Sequence, residues 1–508
     1  MKNIKRVFSF MTVVMMVFCL NIFSVNVSAS EYTITVKAPS SDNVSIAGQT
    51  FNAYKVFSLT YSGSNYSYTA DETCLDSDYE EVKSSVGASD FASILTALDT
   101  EANARKFADA VYNAYIKDKT PVIAGTAIAD ADSAVIDVNE PGYFLVFGTG
   151  ADGNNTTVTS LVMLGTTDTT AEITAKVDAP AITKQIKHNE TGSWGNVGDN
   201  QIGDTVEYRF ISDIPSNIAN FTSYDYIIHD TMTAGLTFDD TSVKVYKDEA
   251  KTSQLADSYV TVTKTDAQNF TVKIDVLGAV NASALSATDT LYTYYSATLN
   301  TSALVAGSAP DSSNHNDNTV YLEYSNNPYD TTSTGETTTS QVYDWTFKFT
   351  VNKVDSESNP LANAVFNIKE GSTNLKFSST EANVYIVDSN GTIEDIKTDL
   401  TGSFVIKGLD DETEYTLSEK TPPAGYNKAE DTVFSIKSGY GATGNELSSL
   451  SATIGGTSGQ PLSVDVVNNS GSKLVGTGGI GTTIFYVSGG ILMIVAAVLL
   501  ITKKRMSK

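Results

Sequence analysis

The sequence predicts a mainly β protein: a row of β-sandwich domains, a helical insertion in the first of them, and a membrane-length helix near the C-terminus. Three observations carry this. Short alternating runs, rich in Thr, Val, Tyr and Ile, recur between clusters of Gly, Asn, Asp and Ser; 32–36, 206–211, 259–263, 320–324 and 346–351 are examples. Residues 91–116 instead place Ile94, Leu95, Leu98, Phe107, Ala110, Val111 and Tyr115 at helical spacing, for one or two helices. Residues 484–501 are uncharged and apolar, just long enough to cross a bilayer.

The two ends describe an exported chain. Lys2, Lys5 and Arg6 precede an apolar run over 7–25, and Val27-Ser28-Ala29 offers small residues to a signal peptidase, so residues 1–29 read as an export signal. An N-terminal membrane anchor is the alternative, but the apolar run is short for one. Lys503, Lys504, Arg505 and Lys508 follow the C-terminal apolar segment and hold that end in the cytoplasm, leaving the bulk of the chain outside. Removing 1–29 and 478–508 takes away 7 of the 33 basic residues and none of the 59 acidic ones; 26 against 59 leaves a net charge of −33. Such a surface is soluble and argues against nucleic acid as a partner. Cys19 lies in the export signal, so the mature chain keeps only Cys74 and has no internal disulfide.

The region between the two signals has room for roughly three domains. Boundaries fall at Asp178-Ala179-Pro180 and in the polar run 330–341, which gives domains over 30–178, 179–341 and 342–470 and a sorting segment over 471–508. Residues 469–483 are a Gly/Ser/Thr-rich tether.

Strand periodicity then singles out six polar residues. Alternate side chains of a strand share a face. Trp345, Phe347, Phe349 and Val351 share one, and Lys353 continues it; Tyr415 and Leu417 lead to Glu419; Leu462, Val464 and Val466 lead to Asn468. The 179–341 domain repeats the order: Lys184 lies between Ile182 and Ile186, Asp230 follows Tyr226 and Ile228, and Asn318 opens the face of Val320, Leu322 and Tyr324. For any one residue, an exposed polar strand end is the alternative, and a one-residue slip in register reverses the face. The same order of Lys, acid and Asn in two domains points beyond it. A buried Lys is driven towards the neutral amine and a buried carboxyl towards its protonated form. The acid can then polarise the Asn carboxamide and move protons while the fold supplies the effective concentration. The amine attacks, ammonia leaves, and an amide joins two strands.

Here the sequence resembles a known family, the sortase-assembled major (shaft) pilins of Gram-positive bacteria, built from Ig-like Cna B-type domains with intramolecular isopeptide bonds. Val351-Asn352-Lys353-Val354-Asp355 with 360–366 is similar to the family's opening strand pair. Tyr415-Thr416-Leu417-Ser418-Glu419 with Pro423-Ala424-Gly425-Tyr426 resembles its acid-bearing E-box, and Val466-Val467-Asn468 its closing strand. In the middle domain 203–208, 230–236 and 318–328 look alike. The resemblance implies Lys184–Asn318 and Lys353–Asn468 bonds promoted by Asp230 and Glu419, with no enzyme activity beyond this self-linking.

Leu474-Val475-Gly476-Thr477-Gly478 resembles the Leu-Pro-x-Thr-Gly sorting motif, with Val475 where Pro is usual. By resemblance a pilus-type or housekeeping sortase attacks the Thr477 carbonyl and releases Gly478 onward. The alternative is an ordinary linker before a membrane helix. The acceptor lysine of the family falls at Lys176, which alternation places opposite Ile173, Ala175 and Val177, although Thr174-Ala175 stands where the family has Tyr-Pro. An ordinary surface lysine is the alternative there. Val177 follows where some relatives carry a bond-forming Asn, so no cross-link is expected in the first domain.

The implied partners are sortase, identical subunits in a head-to-tail fibre, peptidoglycan, and a host or bacterial surface ligand, with a membrane only before sorting. No cofactor or metal is called for: His188, His229 and His315 are scattered, and 439–444 matches a dinucleotide glycine pattern without opening a helix. A wall-anchored monomeric adhesin or minor pilin of the same architecture is the competing function. A surface glycosidase is a third class, since carboxylates in sequence carry no pair separation.

Overall fold

A computed structural model describes residues 32–39, 45–62, 65–76, 79–149, 160–164, 168–471 and 480–506. Strand outweighs helix, 47% to 14%, so the fold is mainly β. The chain forms two compact units. One holds the chain up to Gly198 together with Thr205–Thr298 and Asn316–Tyr343; the other holds Asp199–Asp204, Leu299–His315 and the chain from Asp344 onward.

In the first unit, the N-terminal portion contributes two sheets. Tyr32–Lys37 runs antiparallel to Ser133–Val138 and parallel to Thr170–Thr174. The long Thr50–Ser62 strand pairs with Asn65–Ala70, Gly125–Ile128 and Gly142–Thr149. The helical insertion is Phe91–Ala97 and Glu101–Val111, the latter running on into a π-turn over Tyr112–Ile116. Asp90 and Thr100 start the two helices by accepting hydrogen bonds from the Ser93 and Asn103 amides. A further short helix, Glu80–Ser85, was not expected; its one buried residue, Val82, leaves no periodic signal. Ile94, Phe107, Val111 and Tyr112 close over Phe57, Leu145 and Phe147. Cys74 lies in this core, and burial pushes its thiol up to about 12, which leaves it unreactive.

The rest of the first unit is a sandwich. One sheet runs through Ile182–Lys187, Thr205–Asp213, Thr290–Leu299 and Leu236–Tyr246. The sheet facing it includes Asn316–Ser325, Tyr226–Met232, Asn269–Ile274 and Val260–Lys264. Phe238 and Phe270 stack between them at 3.6 Å. Contacts between the N-terminal portion and this sandwich include the Tyr329 hydroxyl, which joins Arg105 and Asp109, and Asp178, which accepts hydrogen bonds from the Ser216 amide and hydroxyl at 2.7 Å each.

The second unit is also a sandwich. Its Phe347–Asp355 strand lies between Ser403–Leu409, antiparallel, and Ser463–Asn468, parallel. The other sheet contains Val365–Glu370, Tyr415–Thr421, Thr432–Tyr440 and Leu447–Ile454. Phe349 stacks on Phe434 at 4.1 Å across the two. A single helix, Ile480–Met506, ends the described chain, and its Ile484–Met506 stretch is long and apolar enough to cross a membrane.

Candidate functional site

The strand faces put the six polar residues inside. Lys184, Asp230, Asn318, Lys353, Glu419 and Asn468 are each at most 2% exposed. That is unusual for Lys, Asp and Glu, which are buried only when partnered.

In the first unit the three come together. Lys184 reaches inward from one sheet; Asp230 and Asn318 reach from neighbouring strands of the other, where Asp230 pairs with Val320 and Met232 with Asn318. The Lys184 ammonium nitrogen donates to both Asp230 Oδ2 and Asn318 Oδ1. Aromatic rings wall the contact: Nζ lies 4.9 Å from the ring centre of Phe210, 5.3 Å from Tyr295 and 5.5 Å from Tyr208. Burial drives the Lys184 pKa down, against the pull of the Asp230 charge. Burial drives the Asp230 pKa up, against the same charge pair. Both shifts favour a neutral amine beside a protonated carboxyl, the state in which the amine is a nucleophile.

Sequence reasoning missed a fourth residue. The Tyr295 hydroxyl donates to Asp230 Oδ2 at 3.1 Å and accepts from Asn318 Nδ2 at 2.9 Å. In its strand, Tyr295 alternates with Leu291, Thr293 and Ala297 and looks like one more core aromatic.

The second unit arranges the same residue types differently. Lys353 and Asn468 lie on adjacent parallel strands, two residues out of step, since Lys353 pairs with Val466 and Asp355 with Asn468. Glu419 reaches in from the other sheet. Asn468 Nδ2 donates directly to Glu419 Oε1 at 2.8 Å, and Glu419 Oε2 accepts from the Ala429 amide at 2.7 Å. Lys353 Nζ donates to the Val466 carbonyl at 2.7 Å and the Val354 carbonyl at 3.1 Å. Burial lowers the Lys353 pKa. The Asn468 carbonyl oxygen has no hydrogen-bond partner among the described residues. Glu419 and Asn468 therefore touch, while the amine is parked on backbone oxygens beside them.

Lys176 is exposed, between buried Ala175 and Val177. The Ala175 amide bonds the Lys37 carbonyl at 2.8 Å before it, and Asp178 is tied to Ser216 after it. Its amine therefore projects from a backbone held on both sides. Leu474, Thr477 and Gly478 lie outside the described residues.

One other Lys–Asp contact is instructive. Lys55 Nζ is 2.9 Å from Asp71 Oδ2 and also pairs with exposed Glu140. Burial pushes Asp71 up, but hydrogen bonds from Ser58, Thr73 and Lys55 outweigh it and hold the carboxyl down at about 2. This is a plain ion pair.

Each of the two sandwiches matches a known domain family. Residues 202–328 match the family of the Gram-positive pilin backbone subunit 2, Cna-B-like domain, and residues 347–446 the SpaA prealbumin-like fold domain. Among solved structures, the T6 backbone pilin of serotype M6 Streptococcus pyogenes superposes with a TM-score of 0.53 at 16% identity, over 87% of this chain and 99% of that one. That protein has a modular three-domain structure decorated with variable loops and extensions. The major pilin SpaD of Corynebacterium diphtheriae is similar at 16% identity with a TM-score of 0.48, over 87% of this chain and 98% of that one. No curated protein sequence matches the chain significantly.

Proposed function

We propose that this chain is the shaft subunit of a covalently polymerised surface pilus, braced internally by Lys184–Asn318 and Lys353–Asn468 amide bonds. The observation that carries the reading is the dry contact of one lysine amine with both a carboxyl and a carboxamide at Lys184, Asp230 and Asn318. A surface protein that needs only to fold has little use for a buried lysine, because removing a charge from water costs several kcal/mol or more. Making the amine neutral and consuming it in an amide removes that cost.

The chemistry is an acyl transfer within the chain. The neutral amine attacks the Asn Cγ, the carboxyl takes a proton from the attacking nitrogen as it gives up its own towards Nδ2, the C–Nδ2 bond breaks, and Nδ2 departs as ammonia. The chain performs this once on itself and catalyses nothing else. A sortase joins the Thr477 carboxyl of one subunit to the Lys176 amine of the next, and the last subunit is passed to peptidoglycan. The apolar helix and its basic flank hold the precursor in the membrane until then. A head-to-tail joint of this kind does not close and therefore builds a fibre.

The test is the polymer. Native cells should give a high-molecular-weight ladder on denaturing gels, and Lys176→Ala should leave folded monomers without it. A persisting ladder, or Thr477 found on another lysine, overturns the Lys176 joint; absence of any ladder favours a monomeric adhesin or minor pilin.

A further inference from the structure

We infer that Tyr295 is a catalytic residue of the first-unit site, relaying a proton from the Asp230 carboxyl to the leaving nitrogen of Asn318. The inference rests on the Lys184–Asn318 cross-link proposed above and adds a component to it.

The two acids differ in reach. An amide nitrogen leaves poorly unless it is protonated as its bond to carbon breaks. In the second unit the acid that meets the leaving nitrogen is plain, because Glu419 Oε1 is 2.8 Å from Asn468 Nδ2. Asp230 is one methylene shorter, and its Oδ2 is taken up by Lys184 and Tyr295. What touches Asn318 Nδ2 is the Tyr295 hydroxyl, at 2.9 Å, and that hydroxyl's other partner is Asp230 at 3.1 Å. Lys184 Nζ, Asp230 Oδ2, Tyr295 oxygen and Asn318 Nδ2 thus form an unbroken chain from the attacking nitrogen to the leaving one. Tyr295 is 3% exposed, so no bulk water competes for the task. Burial also holds its pKa well above the usual phenol value, so the hydroxyl keeps its proton except in passing.

The step balances. The neutral amine carries two hydrogens and forms the new C–N bond. The nitrogen then gives one proton to Asp230, and Asp230 hands its own to the Tyr295 oxygen. In the tetrahedral intermediate the Nδ2 lone pair is no longer shared with the carbonyl and can accept, so the Tyr295 O–H turns from Asp230 to Nδ2, both hydrogen bonds reverse, and Tyr295 gives Nδ2 a proton. The C–Nδ2 bond breaks with its electron pair on nitrogen. Ammonia departs, and Asp230 and Tyr295 end as they began.

A purely structural role is the competing account, because the ring stacks on Tyr208 at 5.3 Å and Phe210 at 4.9 Å. Tyr295→Phe keeps the ring and its stacking and removes the hydroxyl with its two hydrogen bonds. The test follows the Lys184–Asn318 and Lys353–Asn468 peptides by mass spectrometry through a synthesis time course of the full chain, with near-UV circular dichroism to confirm folding. Y295F should form the second link at the wild-type rate and the first about 100-fold more slowly, the usual scale for losing a proton-transfer group. Adding Asp230→Glu should restore the first link, because the longer acid reaches Nδ2 as Glu419 does. Wild-type speed in folded Y295F overturns the relay and leaves the cross-link standing; a wild-type chain without the Lys184–Asn318 peptide overturns both. If Y295F does not fold, the wild-type chain grown with fluorotyrosine takes its place, since it keeps every ring and acidifies the hydroxyl. The first link should then change rate relative to the second, and an unchanged ratio overturns the relay.

Discussion

The two buried triads use the same residue types and solve different problems. In the first unit the lysine stands on one sheet and the acid and asparagine on the other, so a link would lock sheet to sheet. In the second, lysine and asparagine stand on adjacent parallel strands and only the acid comes from across the sandwich. That link would lock the first strand of the sandwich to its last. The lysine environments differ as well: Lys184 touches both reaction partners, whereas Lys353 rests on two backbone carbonyls. What the two sites share is a buried lysine, acid and asparagine on inward strand faces, with all three in contact only in the first unit. Which strands carry them varies, and so does the length of the acid.

Asp230→Ala should have the largest effect. It removes the proton acceptor for the Lys184–Asn318 link and leaves Lys184 buried without its carboxyl. Lys184 and Asn318 are 134 positions apart. Closing a loop of about 100 residues is worth about 5 kcal/mol on the loop-entropy account, and stranding a buried charge costs a further 3–5 kcal/mol or so. Calorimetry should show the first unit losing more than about 5 kcal/mol of stability. Glu419→Ala should cost the second unit the link, about 5 kcal/mol by the same account, and about 1–3 kcal/mol for the Asn468 and Ala429 donors that lose their acceptor, but it strands no lysine, because Lys353 keeps the Val466 and Val354 carbonyls. Equal losses in the two variants would break the distinction between the sites.

The Lys55–Asp71 pair sharpens the comparison from the other side. Its carboxyl is ionised by surrounding donors, so no amide should form there. The Asp71 pKa is lower in the folded chain than unfolded, so its contribution is present above the ordinary carboxyl value of 3.8 and is lost as pH falls through about 2. Thermal unfolding of the first unit should therefore show a small destabilising step between about pH 4 and pH 2, and Asp71→Asn should remove it. A Lys55–Asp71 cross-linked peptide would contradict the view that charge state separates reactive from inert pairs.

Much of this was legible in the sequence, for one physical reason. Side chains alternate strictly along a strand, so Trp345, Phe347, Phe349 and Val351 determine where Lys353 points, and all five are fully buried. The same logic places Asn318 with Val320 and Leu322. What alternation does not carry is which strand lies beside which. That Asp230 and Asn318 are neighbours depends on the Met232–Asn318 register, between residues far apart in the chain. Tyr295 stayed hidden because a tyrosine in an apolar stripe looks the same whether or not its hydroxyl works. The Lys353 amine on backbone carbonyls was equally invisible, since those acceptors exist at every residue.

The most direct measurement is the intact mass of the mature extracellular chain, purified after recombinant expression without sortase. The account predicts a mass two ammonia molecules below that of the sequence, with tandem spectra placing one loss on a Lys184–Asn318 peptide and the other on Lys353–Asn468. A mass equal to the sequence mass, in a chain shown to be folded, would contradict it.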